Sequence, residues 1–149
     1  MLIRDILSFK GGAIHGIESS TALNRAVSLM VEHDIGSLVV MDGGRMAGLL
    51  TFREVLRAID RSGGTAANVL VRDVMVNDPI CGSPADTIDD LREVMTRHHV
   101  RYLPVKEGDE LLGIVSFHDV AKALIKETSM ENRLLKRYIE GSPAMGAEP

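Results

Sequence analysis

Apolar residues recur along the first half of the chain with a period that changes from strand-like to helical and back. A short apolar segment, Ala13–Ile17, suits a strand. Over Thr21–His33 apolar residues then recur every three or four positions, which predicts an amphipathic helix. Two further strands, Ser37–Met41 and Met46–Leu50, flank an Asp-Gly-Gly turn that is typical of a hairpin. A second helical pattern covers Phe52–Arg61.

The second half repeats this order. A short strand is predicted at Ile80–Cys81, and Asp86 or Thr87 can cap a helix whose apolar stripe begins at Ile88. Tyr102–Lys106 and Leu111–Val115 read as a second hairpin, and a last helix begins near Phe117. Each half therefore predicts the order β-α-β-β-α.

The two halves align without a gap from Ala22 onward. The junction Gly48–Glu54 returns as Gly113–Asp119, 65 positions later, and the turn glycine Gly43 recurs as Gly108. One sheet face of each unit would stay exposed if the unit were alone, so we expect the two sheets to pack together about a pseudo-two-fold axis. The predicted fold is an α/β pair of repeats. The predicted ranges are 6–62 for repeat one, 63–72 for a linker, 73–126 for repeat two, 127–141 for a helical extension and 142–149 for a disordered tail.

Composition narrows the function classes. Apolar residues are 45% of the chain, so a core can form, but aromatic residues are only 3%. A net charge of −4 argues against a nucleic-acid partner, which would call for a basic face. The single cysteine, Cys81, excludes an intramolecular disulfide, and we expect it to be buried. The sequence shows neither a signal peptide nor a membrane-spanning run, so we expect a cytoplasmic protein.

Three motifs resemble those of paired cystathionine β-synthase (CBS) domains, the tandem often called a Bateman module. They are Val71–Met75 before repeat two, His98–Val105, and Gly113–Asp119. The resemblance covers roughly residues 6 to 125 and leaves little room for another domain, so it implies a stand-alone member. It also implies a sensor that binds adenosine-containing ligands (AMP, ADP, ATP, NAD or S-adenosylmethionine) in clefts between the repeats, and a homodimer formed through helices.

The residues at the last junction suit such a ligand. Ser116 ends a strand and opens a helix, where free N–H groups and the helix dipole attract ribose or phosphate oxygens. Asp119 has two acceptor oxygens for ribose hydroxyls, and Arg101 and Lys10 carry charges that neutralise phosphate. Ser116 and Asp119 equally suit a capping box that needs no ligand, and the two roles are compatible.

The resemblance implies two clefts of unequal affinity. Repeat one carries Glu54 where the family pattern ends in Asp, so its reach differs from that of Asp119. The expected contacts of the first cleft are Ser116, Asp119, His118, Ile114, Arg101, Lys10, Ala13, His15, Gly36 and Ser37. Those of the second, weaker cleft are Thr51, Glu54, Arg53, Ile80 and Val100. No cofactor is required, and AMP, ATP or NAD is the expected ligand.

Two features leave alternatives open. The basic run Arg97–His99, with Arg101, is either a solvated helix end or part of a phosphate site, and its spacing does not suit a metal. The last helix carries an apolar stripe over Phe117–Glu140 that is too long for its own repeat, so we expect it to pack on a partner subunit; the alternative is a partly frayed surface helix. Gly141 is expected to end it.

No nucleophile–base pair, phosphate-binding loop or metal-ligand spacing indicates an enzyme. The competing function is a ligand-free dimerisation or protein-interaction module with a protein target that the sequence does not identify.

Overall fold

The computed structural model describes residues 1–11 and 13–147 and contains two similar units of helices packed on small sheets. The helices are α1 (Ile3–Lys10), α2 (Leu23–His33), α3 (Phe52–Arg61), α4 (Val71–Val74), α5 (Ile88–His98) and α6 (Phe117–Ala147). The strands are β1 (Gly16–Glu18), β2 (Ser37–Asp42), β3 (Arg45–Thr51), β4 (Tyr102–Glu107) and β5 (Glu110–Ser116). Both hairpins and the helices that follow them lie at the predicted positions.

The backbone repeats in detail. The β2–β3 and β4–β5 hairpins are antiparallel and share one register, which shifts after Val40 in the first hairpin and after Val105 in the second. Asp34 and His99 end the helices that precede the hairpins with φ angles of 52° and 54°. These paired features all lie 65 positions apart, so the internal repeat is confirmed.

The first strand is the element on which the repeats differ. β1 pairs in parallel with β2, but the predicted strand at Ile80–Cys81 is wrong, because only Gly82 forms an isolated bridge to Val105. In repeat one the N–H of Val39 donates to the carbonyl of His15. Its counterpart in repeat two is Pro104, which has no N–H to donate. Repeat two is therefore α-β-β-α.

Two further details of this region correct the sequence analysis. β1 begins at Gly16, later than the predicted start at Ala13. Cys81, which was expected to be buried, is exposed, and its Sγ donates to the carbonyl of Pro79. Without a strand at this point, the cysteine is not covered by the sheet.

Each repeat completes its core with a segment from outside itself. Ile3 and Ile6 of α1 belong to the core of repeat two, whereas Val71 of α4 belongs to the core of repeat one. The backbone bridges Leu2–Thr87 and Ala22–Leu70 bind the same segments to the opposite repeats. The sequence pattern did not predict this exchange, which places α1 beside α6.

Helix α6 continues to Ala147, so the predicted end at Gly141 is wrong. A glycine inside a helix costs only about 1 kcal/mol, so Gly141 alone does not end α6, although Pro143 costs about 3 kcal/mol and donates no backbone hydrogen bond. Residues 142–147 of the predicted disordered tail are helical, and residues 148–149 lie outside the described part of the chain. Within residues 1–11 and 13–147, no helix is both long and apolar enough to cross a membrane.

Candidate functional site

A cleft of about 1030 Å³ lies between the repeats. Its size is at the upper end of the range of small-molecule sites, about 300–1,000 Å³. It brings together nine of the ten residues predicted for the first ligand site: Lys10, Ala13, His15, Gly36, Ser37, Arg101, Ile114, Ser116 and His118. These residues come from both repeats and from the segment between α1 and β1, so the cleft exists only because the repeats pack together.

The tenth predicted residue, Asp119, caps helix α6. The N–H of Ser116 donates to Asp119 Oδ2 at 2.8 Å, and the N–H of Asp119 donates to Ser116 Oγ at 3.1 Å. The two residues thus form the capping box that the sequence allowed. Ser116 lines the cleft, whereas Asp119 lies behind it and borders a second groove between α1 and α6.

Lys10 lines the cleft and also contacts Asp119. Its ammonium donates to Asp119 Oδ2 and to the carbonyl of Ile114, both at 2.7 Å. Burial alone would raise the pKa of Asp119, but the hydrogen bonds from Lys10 and Ser116 outweigh it and hold the pKa below its usual value. Asp119 is therefore ionised at neutral pH, and among the described residues every hydrogen bond to its carboxylate goes to Oδ2.

The lining of the cleft is rich in basic side chains. Arg53 and Arg101 reach it from opposite repeats, and His99 and His118 line it with His15. Asp34 is the acid among its lining residues, and the positive charge of Lys10 is already balanced by Asp119. The remaining excess of positive charge suits an anionic ligand.

His15, an expected contact of the first cleft, is half-buried and lines it. Its ring stacks on that of His33, with the centroids 4.5 Å apart. The basic run after α5 divides. Arg97 pairs with Glu93 on the exposed side of the helix, whereas His99 and Arg101 line the cleft. The described residues contain no cluster of His, Cys, Asp or Glu suited to a metal ion.

The residues predicted for the second site do not gather in one place. Arg53 and Val100 line the first cleft, whereas Thr51, Glu54 and Ile80 do not. Glu54 Oε1 accepts from the N–H of Thr51 at 2.8 Å and from its hydroxyl at 2.7 Å. Glu54 is only 8% exposed, so its carboxylate serves the start of α3. Ile80 is 39% exposed.

Two aromatic residues of the cleft were missed by the sequence analysis. Tyr102 and Phe117 both line it, next to the predicted Arg101 and Ser116. The internal repeat offered a signal for Tyr102, because it stands 65 positions after the predicted contact Ser37. Because tyrosine is much larger than serine, the difference between these equivalent positions was a reason to consider Tyr102 as a cleft residue.

A family model described as CBS domain matches residues 14–61 and 71–126, more than half of the chain. The CBS domain-containing protein CBSX3, mitochondrial, of Arabidopsis thaliana is 30% identical over 148 residues, which span 93% of this chain and 72% of the relative. The CBS domain-containing protein YhcV of Bacillus subtilis is 32% identical over 108 residues, which span 70% of this chain and 74% of the relative.

Solved structures share the fold. The CBS-domain containing protein ATU1752 from Agrobacterium tumefaciens superposes with a TM-score of 0.79 at 30% identity, covering 83% of this chain and 98% of that one. CBSX2 in complex with AMP superposes with a TM-score of 0.70 at 20% identity, covering 85% of this chain and 98% of that one. The CBS domain pair of protein MJ0100, in complex with 5-methylthioadenosine and S-adenosyl-L-methionine, superposes at 0.68 and 20% identity, covering 83% and 99%.

Proposed function

Because this chain belongs to the CBS-domain family, we propose that it is a regulatory module that binds an adenosine-containing ligand in the cleft between its two repeats. The observation that carries the proposal is the cleft itself, where Ser116 opens a helix opposite residues of the other repeat. The AMP complex of CBSX2 and the adenosyl complexes of MJ0100 support the ligand class. The module has a binding role and no catalytic one.

The ligand is held at the start of α6. The hydroxyl of Ser116 and the free N–H groups of the first helical turn suit ribose or phosphate oxygens. Asp119 Oδ1 accepts a ribose hydroxyl if the Lys10 ammonium moves aside or shares the carboxylate. Ile114 offers apolar contact to the base, and Arg101 supplies a fork of N–H donors for phosphate.

Charge favours nucleotides over S-adenosylmethionine. Arg53 and Arg101 face the cleft together with three histidines, against the single lining carboxylate of Asp34. This environment attracts the phosphates of AMP, ATP or NAD and repels the sulfonium cation of S-adenosylmethionine.

Isothermal titration of the protein with AMP, ATP, NAD and S-adenosylmethionine tests the proposal. We expect saturable binding of at least one phosphate-bearing ligand, weakened by salt, and weaker binding of S-adenosylmethionine. Absence of heat and of a thermal shift with all four ligands would exclude a sensor of this class and leave the interaction module. Tighter binding of S-adenosylmethionine than of AMP would contradict the argument from charge.

A second copy of this chain is the partner that the helices fit. The exposed apolar side chains of α6 continue far beyond the core of repeat two, and Val31 of α2 and Leu56 of α3 are also exposed. On α6 they are Ile125, Met130, Leu134, Leu135, Tyr138 and Ile139. Several exposed large apolar side chains on one helix are typical of an interface between subunits. A homodimer through these helices is compatible with a further protein target, and a cytoplasmic location stays a prediction.

A further inference from the structure

The cleft between the repeats is one-sided. Pseudo-symmetry relates Gly36 to Arg101 and Ser37 to Tyr102, and all four residues line the cleft. Most of the other lining residues lie towards α6, and Arg53 is the lining residue from α3. The cleft reaches Ser116, for example, but not the counterpart of Ser116 in repeat one, Thr51. Two equal repeats would create two equal clefts, so the differences between the repeats, in the first strand and in the side chains, have to account for the missing half.

Tyr102 crosses from repeat two to the start of helix α3. Its ring meets the ring of Phe52, the first residue of α3, edge to face, with the centroids 6.2 Å apart. Its hydroxyl packs directly on Gly36, where a Cβ atom would collide with it. Tyr102 therefore lies at the start of α3, the position equivalent to the one where Ser116 opens α6.

Arg101 covers the same point from the solvent side. Its guanidinium carbon lies 5.7 Å from the centroid of the Phe52 ring, within the range of a cation–π contact. The counterparts of Arg101 and Tyr102 are Gly36 and Ser37, which have no side chain long enough to reach Phe117 in the same way. Gly36 and Ser37 thus leave the start of α6 open, whereas their counterparts Arg101 and Tyr102 lie against Phe52 at the start of α3.

We propose that Tyr102 occupies the second adenosine site of this module, so that each chain binds one ligand, at α6. The inference rests on the proposed function and adds to it the number of sites and the residue that sets it. Thr51 and Glu54 keep the hydroxyl and the carboxylate of a ligand site at the start of α3. Access to them, rather than their chemistry, is what Tyr102 removes.

Titration calorimetry of Tyr102→Ser, which copies Ser37, tests the inference with AMP and ATP. We expect one ligand per chain for the wild type and two for Tyr102→Ser. Tyr102→Phe is the matched control, because it keeps the ring on Phe52 and should stay at one ligand per chain. Tyr102→Thr is a second variant, whose β-branched side chain suits the first residue of β4. Circular dichroism checks that each variant is folded.

Added substitutions locate the new site. In the Tyr102→Ser background, Asp119→Ala should remove the site at α6 and leave one ligand per chain, and a further Glu54→Ala should remove that one as well. One ligand per chain in the folded Ser and Thr variants, or two in the wild type, would overturn the inference and leave the proposed function intact. A wild type that binds no adenosyl ligand would instead overturn the proposed function.

Discussion

The ammonium nitrogen of Lys10 lies 2.7 Å from Oδ2 of Asp119 and joins helix α1 to helix α6. Lys10 is the last residue of α1, which precedes repeat one, whereas Asp119 lies in the first turn of the helix that ends repeat two. A ligand that reaches the start of α6 therefore meets a carboxylate that is already paired. The ion pair links the stability of the module to its binding site.

Replacing Lys10 with Gln should destabilise the protein. The change removes the charged donor from Asp119, whose side chain is only 16% exposed, and leaves its burial less compensated. Hydrogen bonds to charged groups contribute about 1.5–3 kcal/mol, and we expect a loss in the free energy of unfolding towards the lower end of that range. Urea unfolding at pH 7 measures it, and Lys122→Gln on the exposed side of α6 is the control. Equal stabilities for the two variants would show that the pair contributes nothing.

Acid should remove the contribution of Asp119 to the stability of the folded protein. Because its pKa is lower in the folded protein than in the unfolded chain, the ionised carboxylate stabilises the fold above the unfolded pKa of about 3.9, and this stabilisation disappears as the pH falls through the folded pKa. We expect the wild type to be more stable than Asp119→Asn at pH 7 and the difference to narrow below about pH 4. Unfolding curves of both proteins from about pH 7 to about pH 3 test this, and a constant difference would contradict it.

Asp119→Ala should weaken binding of AMP more than Glu54→Ala does. Both variants lose the carboxylate of a capping box, so each should lose about 0.5–2 kcal/mol of stability. Of the two carboxylates, only that of Asp119 is hydrogen-bonded to residues that line the open cleft, Ser116 and Lys10, so we expect its removal to raise the Kd at least about tenfold, equivalent to about 1.4 kcal/mol, and that of Glu54 to leave it within about threefold. Calorimetry gives the affinities and thermal unfolding gives the control. Equal losses of affinity would contradict unequal sites.

Two equivalent glycines should respond differently to alanine. A Cβ at Gly48 would collide with the backbone carbonyl of Val76, which accepts a hydrogen bond from the N–H of Leu49. A Cβ added at Gly113 would lie 2.8 Å from its nearest neighbour, a terminal methyl carbon of the flexible Leu7 side chain. We expect Gly48→Ala to cost about 1–3 kcal/mol, as overpacking does, and Gly113→Ala to cost clearly less. Chemical denaturation of both variants measures the difference, and the reverse order would show that the backbone of Val76 moves more easily than Leu7.

Charges on α6 should separate the proposed dimer. Leu134 and Leu135 are 60% and 59% exposed, and a buried, unpaired carboxylate is costly in an apolar interface. We expect the double variant Leu134→Glu, Leu135→Glu to be monomeric where the wild type is dimeric, as measured by light scattering after size exclusion. Arg137→Glu, an exposed polar position on the same helix, is the control. A monomeric wild type at micromolar concentration would refute the dimer.

The repeat made much of the site predictable. A capping motif is local, so Ser116 and Asp119 are enough to locate the start of α6. The missing first strand of repeat two has a cause that is visible in the sequence, because Pro104 stands where Val39 of repeat one donates its N–H to His15. That cause could be recognised only after the pairing of Val39 with this segment was known. The pairing of Lys10 with Asp119 spans 109 positions, and periodicity carries no information about such a contact.

By itself, the sequence determined the two repeats, their hairpins and the helix starts, since these depend on apolar periodicity, turn glycines and caps within a few residues of one another. Only the tertiary structure decided which repeat each linking segment packs on, that the positive charge of Lys10 is balanced by Asp119, and that the large side chains at 101 and 102 lie over the start of α3. Those outcomes depend on the shape and charge of surfaces that meet only after both repeats have folded.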